Sequence, residues 1–473
     1  MEARVLDPKV KALEINLDKS NYGSLAEIGA GQEVAAFLFK AGAASQTIAK
    51  TISAYDMTFS DAIYGREEKG RYVCEARVMK MLNREYTLLE NRLKEIRGKD
   101  TRFFAFADTV VTINYAKTNQ GQGWMGLRFQ TSPETPPNDL VVHIRLMEKD
   151  ANAQQAAVGV FGINMIYGCY NHYQNPELLL LSLMDSLSTE RIKIDMIRFS
   201  GPDFEGVDNR LMALRLVQYG FTNSALFDPN GDVKEPADVF YKKHILAVRG
   251  RFRPCTVVNL DMFKNGVEDF VRDENITDRE NIVEVAELTL SNLRSEGEIN
   301  YNDFLERVNI VSSMGKYVLI SNYQEYYRLV DFFNRYTKYK FAIVLGPFNL
   351  ADIFNEKYYT NLKGGILESF SALFSRNVRL YIYPAQKADT GVVYNSSNFE
   401  VPEHLLYLYK YLLANDKIKD ISSYNSQNLH IYSDKVLDMI RSGESGWETM
   451  VPENVEEAIK SKKLFGYKGE PVQ

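Results

Sequence analysis

The second half of the chain constrains the fold most. Three short runs, Lys316–Ser321, Lys340–Gly346 and Val378–Pro384, are almost wholly apolar, and stretches with helical periodicity, Asn322–Thr337 and Gly364–Arg376, separate them. A strand buried on one face alternates apolar and polar residues, whereas one buried on both faces is apolar throughout. Parallel neighbours are joined by a crossover, usually a helix, so this rhythm spells a parallel sheet with helices on its faces. The region from Lys316 to Pro384 is expected to form a parallel three-stranded βαβ unit, followed from Glu403 by helices and a polar tail.

The first half has no such rhythm. Ser24–Ala30 reads as a short strand ending in glycine, and Gly31–Gly42 as a helix with Val34, Phe37 and Leu38 on one face. Arg102–Ala116, Gly126–Thr131 and Leu140–Met147 are rich in β-branched and aromatic residues and lie close together, as an antiparallel set does. PELLLLSLMDSL reads as a helix, IKIDMIRFS as a strand, and NRLMALRLVQYG as a helix ended by Gly220. The fold class is therefore α/β, with a mixed α+β N-terminal part and a C-terminal parallel-sheet unit. The charged stretch Arg272–Asn281 suggests a boundary between domains 1–272 and 282–473, with a sub-boundary in the proline-rich turn at 131–139.

Composition excludes several classes. With 473 residues, 45% of them hydrophobic, the chain can bury about three quarters of its unfolded surface. The net charge of -6 and the lack of a basic stripe argue against nucleic acid as partner. Cys74, Cys169 and Cys255 are far apart and odd in number, which favours a reducing, cytoplasmic setting. The chain opens without an apolar leader. Its most apolar stretch, Ala156–Tyr170, is shorter than the ~20 residues of a membrane span and is expected to be a buried helix.

Motifs for chemistry are sparse. Gly29, Gly31 and Gln32 stand between a strand and a helix N-terminus, where free N–H groups suit a phosphate. In Val248–Pro254, strand alternation would put Arg249, Arg251 and Arg253 on one face, a row suited to phosphate or carboxylate. Gly364 and Gly365 precede a helix bearing Glu368. The histidines, His143, His172, His244, His404 and His430, form no local pair with metal-ligand spacing, and no metal is expected. Glu27, Asp195 and Asp203 are carboxylates that only a fold could bring together. Met79, Leu82, Tyr86, Leu89, Leu93 and Ile96 form a narrow seam suited to one facing helix, in this chain or in a second copy.

The runs YGSLAEIGAGQEVA, TIAKTISAYDM, VRGRFRP and GGILESFSALF resemble a group of uncharacterised bacterial proteins of similar length. Some of these are described as nicotinate-nucleotide adenylyltransferases, which implies a G-x-F-D-P-x-H-x-G-H loop and a later I-S-S-T-x-x-R. Phe227-Asp228-Pro229 and Ile421-Ser422-Ser423 match fragments of these patterns. No histidine follows in the stretch through Gly231 and Val233, and Tyr424 and Gln427 replace the threonine and arginine, so the groups that steady a transferring phosphate are missing.

Two functions fit. One is a non-catalytic cytosolic protein that assembles with copies of itself or binds a partner. The tyrosines, 29 in all, and the missing catalytic motifs favour it. The other is an enzyme or sensor that binds a nucleotide-like or other anionic small molecule through Gly29, Gly31 and Gln32 or through the arginine row.

Overall fold

A computed structural model describes residues 6–67, 70–295, 297–375, 377–387 and 390–469. The first residues of the charged start, the last four of the polar tail, and Arg376 at the end of an expected helix lie outside them. The chain divides into two compact units, Met1–Thr222 and Asn223–Gln473.

The first unit is built on β1 (Asn21–Gly29), β2 (Ile48–Ser53), β3 (Arg102–Val111), β4 (Gln122–Phe129), β5 (Asn138–Leu146) and β6 (Ile192–Ser200). The sheet order is β2-β1-β3-β4-β5-β6, parallel as far as β3 and antiparallel beyond it. Helices α1 (Pro8–Leu17), α2 (Glu33–Ala41), α3 (Met57–Tyr64), α4 (Glu75–Arg97), α5 (Ala151–Asn171), α6 (Pro176–Ser182) and α7 (Asn209–Gln218) complete it. The antiparallel set expected between Arg102 and Met147 is present. The turn at 131–139 is no sub-boundary, because it joins the paired strands β4 and β5.

Helix α5 contains the apolar stretch and is buried along most of its length. Glycine lets it lie close to α2: a Cβ on Gly162 would fall 2.4 Å from a Val34 methyl. No described helix is long and apolar enough to cross a membrane. The seam on α4 packs against β1, β3 and β4 of its own unit. Leu82, Tyr86 and Leu89 are buried there, and Gly126 of β4 leaves room for Leu82 and Val78. The facing surface is thus the chain's own sheet, and Ile96 at the seam's end is exposed.

The second unit contains β7 (Ser224–Phe227), β8 (Val233–Lys234), β9 (His244–Arg249), β10 (Ile282–Thr289), β11 (Tyr317–Ser321), β12 (Phe341–Leu345) and β13 (Val378–Ile382). A small ribbon, β14 (Ala385–Gln386) with β15 (Val393–Tyr394), and a last strand, β16 (Ile418–Asp420), follow. The main sheet runs β16-β13-β12-β9-β10-β11-β7-β8. Its six strands from β16 to β11 are parallel, and β7 and β8 are antiparallel at one edge. The helices are α8 (Pro236–Phe240), α9 (Val257–Glu274), α10 (Leu290–Leu293), α11 (Tyr301–Ser313), α12 (Tyr326–Tyr336), α13 (Phe348–Ile353), α14 (Gly365–Leu373), α15 (Leu406–Ala414), α16 (Ser433–Ser442) and α17 (Glu453–Lys462).

The three expected strands are β11, β12 and β13, all parallel, but β11 and β12 are not neighbours. Strands β9, from before the expected boundary, and β10, which starts at it, lie between them. That boundary is corrected accordingly. Arg272–Asn281 ends α9 and leads into β10 of the same sheet, and several of its charges are paired: Asp273 with Arg379 and Lys419, Glu274 with Lys340, and Arg279 with Glu268. A charged run here marks a helix end, not a linker. The tyrosine-rich segment, α12, buries Tyr326 and Tyr327 with Phe332 and Phe333 in the unit's own core. Ile418–Asp420, expected to be helical, is an edge strand of three residues.

Candidate functional site

The six parallel strands have a consequence of their own. In chain order they lie third, second, first, fourth, fifth, sixth, so the winding reverses between β9 and β12. At such a switch point the connections leave in opposite directions, and a crevice opens beyond the C-terminal ends of the two strands. The turn that leaves β9 is Gly250–Thr256, part of the arginine-rich run, and it leads into α9, 18 residues long. Gly346 follows β12 on the other lip.

The arginines do not form the expected row. The strand ends at Arg249, and Phe252 is buried with a φ of 46°, which breaks the alternation. Each guanidinium turns to a different acid. Arg249 binds Glu287 of β10 through two bonds of 2.7 and 3.0 Å and lies over the Tyr326 ring. Arg253 binds Asp303 at 3.0 Å. Arg251 binds Asp434 at 2.6 Å, and only this pair is largely in water, with side chains 47% and 64% exposed. Glu287, by contrast, has no exposed surface.

The turn also corrects the motif assignment. Phe227-Asp228-Pro229 belongs to the β7–β8 hairpin, where Asp228 accepts the N–H groups of Asn230 and Asp232. Gly250-Arg251-Phe252-Arg253-Pro254 fits the same G-x-F-x-P frame, and here the frame lies between a strand and a long helix. Ile421-Ser422-Ser423 follows β16 and meets that helix: Ser422 donates to Asp269, and the Asn425 N–H to Asp261. Counted from Gly250, the histidine positions hold Thr256 and Asn259. These two are engaged with each other at the N-terminus of α9, where Asn259 accepts the Thr256 N–H at 2.9 Å. Neither carries an imidazole.

A groove of about 470 Å³ runs along α9 from its first turn. Val257, Leu260, Phe263, Val267 and Met314 supply apolar lining, Asn425 and Asn428 supply amides, and two lysines, Lys264 and Lys316, stand among three carboxylates, Asp261, Glu268 and Glu284. Its volume is in the range of small-molecule sites.

Gly29, Gly31 and Gln32 lie in the first unit. Gly29 has a φ of 89°, and a Cβ on it would strike the Val110 carbonyl; one on Gly31 would fall 1.9 Å from the Asp108 carboxyl. These glycines are thus required by the approach of β3. Gln32 closes the turn by donating to the Gly29 carbonyl at 2.5 Å. In the first turn of α2, the Ala35 N–H points at Glu27 at 3.4 Å. The other glycine turn is likewise self-closed, since the Gly364 N–H donates to Glu368 at 2.8 Å.

The remaining candidates are dispersed. Asp195 is buried with Arg145, His143 and Thr222; its carboxyl is held well below the usual range because Arg145 and His143 outweigh the cost of burial. Asp203 accepts from Thr131 and Asn138. His404 pairs with Glu356 on the surface. Burial pushes Cys255 up to about 12 and raises Cys169 as well, as expected of inert core thiols. Among the described residues no three His, Cys, Asp or Glu side chains converge as metal ligands. Sequence reasoning missed Asp108, the register partner of Glu27. The signal was a lone acid in the apolar strand FFAFADTVV.

No protein-family model matches the chain, and no curated protein matches it with significance. Solved structures give weak likenesses. A competence-damaged protein (CinA) superfamily protein of Klebsiella pneumoniae is 16% identical, with a TM-score of 0.27, over 35% of this chain and 96% of its own. The competence/damage-inducible protein CihA of Agrobacterium tumefaciens is 16% identical, at 0.25, over 35% and 97%. The nicotinic acid mononucleotide adenylyltransferase of Plasmodium falciparum, complexed with APC, is 12% identical, at 0.30, over 48% and 98%. Likenesses of this strength carry no argument for this chain.

Proposed function

We propose that the second unit binds a small molecule bearing phosphate or carboxylate, nucleotide-like in size, at the switch point between β9 and β12 and along α9. The sheet order carries this reading, because it puts a glycine-containing turn and the N-terminus of α9 at the one place where this topology opens, and the groove begins at the first turn of that helix. Arg251 is the arginine of the run proposed to meet the ligand, since Asp434 is a partner that water already reaches. The setting proposed is the cytosol, because Cys74, Cys169 and Cys255 are odd in number and far apart in the sequence. No adenylyl transfer is proposed, because Thr256 and Asn259 replace the phosphate-handling imidazoles. The assembly reading loses two of its supports: the α4 seam faces its own sheet, and Tyr326 and Tyr327 are core residues.

Thermal unfolding with nucleotides and with inorganic phosphate tests the proposal. A ligand that binds only the native state raises the melting temperature in step with its concentration. ATP is expected to do so, and Arg251→Ala to weaken the effect about tenfold, the worth of one charge-assisted hydrogen bond. No shift with any nucleotide sinks the reading. ATP and nicotinate mononucleotide together are expected to yield no pyrophosphate above a blank without protein.

A further inference from the structure

The first unit holds a pair of groups that the proposed groove does not use. Glu27 of β1 and Asp108 of β3 stand directly opposite in register on adjacent parallel strands. Alternation puts them on the face that carries Leu25, Phe104 and Phe106, under α2 and α5. Glu27 is 3% exposed and Asp108 0%. Neither Asp108 oxygen has a hydrogen-bond partner among the described residues.

The surrounding elements supply no compensating cation among the described residues. On β2, Ser53 donates to Glu27 at 3.5 Å, while Lys50 pairs with Glu85 of α4. On α2, the Ala35 N–H reaches Glu27, and Glu33 pairs with Lys40 at 3.8 Å. Met125 of β4 lies opposite Asp108. Residues 157–166 of α5 include no acid, base or histidine. Near Asp108, the Ile28 backbone is the group that favours the anion. Two buried charges of one sign, side by side without a counter-charge, are far less favourable than the same pair holding a proton.

We propose that Glu27 and Asp108 form a proton-linked latch on the turn between β1 and α2. While the pair carries at most one charge, Gly31 packs against Asp108 and the turn stays closed. Loss of a further proton to solvent leaves two charges that require water, and the turn opens to admit it. The turn is the part that yields, because both strands are held by a nine-residue parallel ladder, whereas Gly31 lies directly over the carboxyl.

The electrostatics agree. Burial pushes Glu27 up from 4.5 to about 7, against the smaller opposing effects of the Ala35 N–H and Ser53. Burial, then the charge of Glu27, raises Asp108 well above its ordinary value. A carboxyl whose closed-state pKa is raised binds its proton more tightly when the turn is closed. The closed state is therefore favoured at low pH and loses ground as pH rises from about 4.5 to 7.

Hydrogen exchange of the Ala30 and Val34 amides, which bond to Val110 and Gly31, reads the latch directly. After correction for the intrinsic rate, protection is expected to fall about tenfold per pH unit for each proton released, beginning near pH 5. Glu27→Gln and Asp108→Asn should each remove one tenfold-per-unit component. Protection independent of pH in the wild-type protein overturns the proposal, as does the wild-type slope persisting in both variants. If Asp108→Asn does not fold, Glu27→Gln decides alone: an unchanged slope overturns the latch, and a reduced one supports it.

Discussion

Arg249 and Arg251 are two residues apart and chemically identical, yet their environments give them opposite roles. Arg249 neutralises Glu287, which is fully buried and also accepts the Ser321 hydroxyl. Arg249→Ala would leave that carboxylate charged and unpaired, at a cost of about 3 to 5 kcal/mol. Lysine does not restore it, because only a guanidinium fork meets both oxygens. Arg251→Ala breaks a solvated pair and is expected to cost less than about 1 kcal/mol. Urea unfolding of the two variants checks the contrast, and equal midpoints would refute it. Gly31→Ala is a third case. Its methyl would overlap the Asp108 carboxyl, so a loss of about 1 to 3 kcal/mol is expected from overpacking, again read from the urea midpoint.

Among the elements, α4 is the one whose surroundings matter most to the choice of function. Leu89 is 5% exposed and packs within its own unit. Leu89→Ala should cost about 2 to 5 kcal/mol while native mass stays that of the wild-type protein. A variant that keeps its stability but loses mass would return the seam to an intersubunit role. Legibility follows the same physics. The seam was visible in the spacing of apolar residues, but spacing does not reveal whether a helix or a sheet lies opposite. Strands β11, β12 and β13 were legible because burial on both faces leaves an unbroken apolar run. Their order was not, since it depends on β9 and β10, which enter from earlier in the chain. The arginine run has the spacing of an extended strand, and Phe252 at positive φ, which ends the alternation, has no sequence signal comparable to glycine. Asp108 was missed because a single acid in an apolar strand becomes informative only when its partner across the ladder is known.

For the molecule as a whole, the division at Thr222 replaces the one suggested by charge. A fragment of residues 223–473 keeps the entire eight-stranded sheet and is expected to unfold in one cooperative transition. A fragment beginning at 282 loses β9, the strand between β10 and β12, and with it α9. That fragment should show neither protease resistance nor a thermal transition, and a folded 282–473 fragment would contradict the sheet order. The same order bears on synthesis. On the ribosome β9 emerges before either of its eventual neighbours, and β10 and β11 then build outward on one side only. Until β12 is translated, the other side of β9 is an open row of backbone donors and acceptors flanked by the apolar residues Ile245 to Val248. An unpaired, apolar edge is a template for pairing with another chain. Nascent chains stalled just before β12 should therefore associate with one another or be held by chaperones, whereas chains stalled after β13 should be released as monomers. The reversal that creates the crevice thus also makes its central strand the most exposed part of the unit during translation.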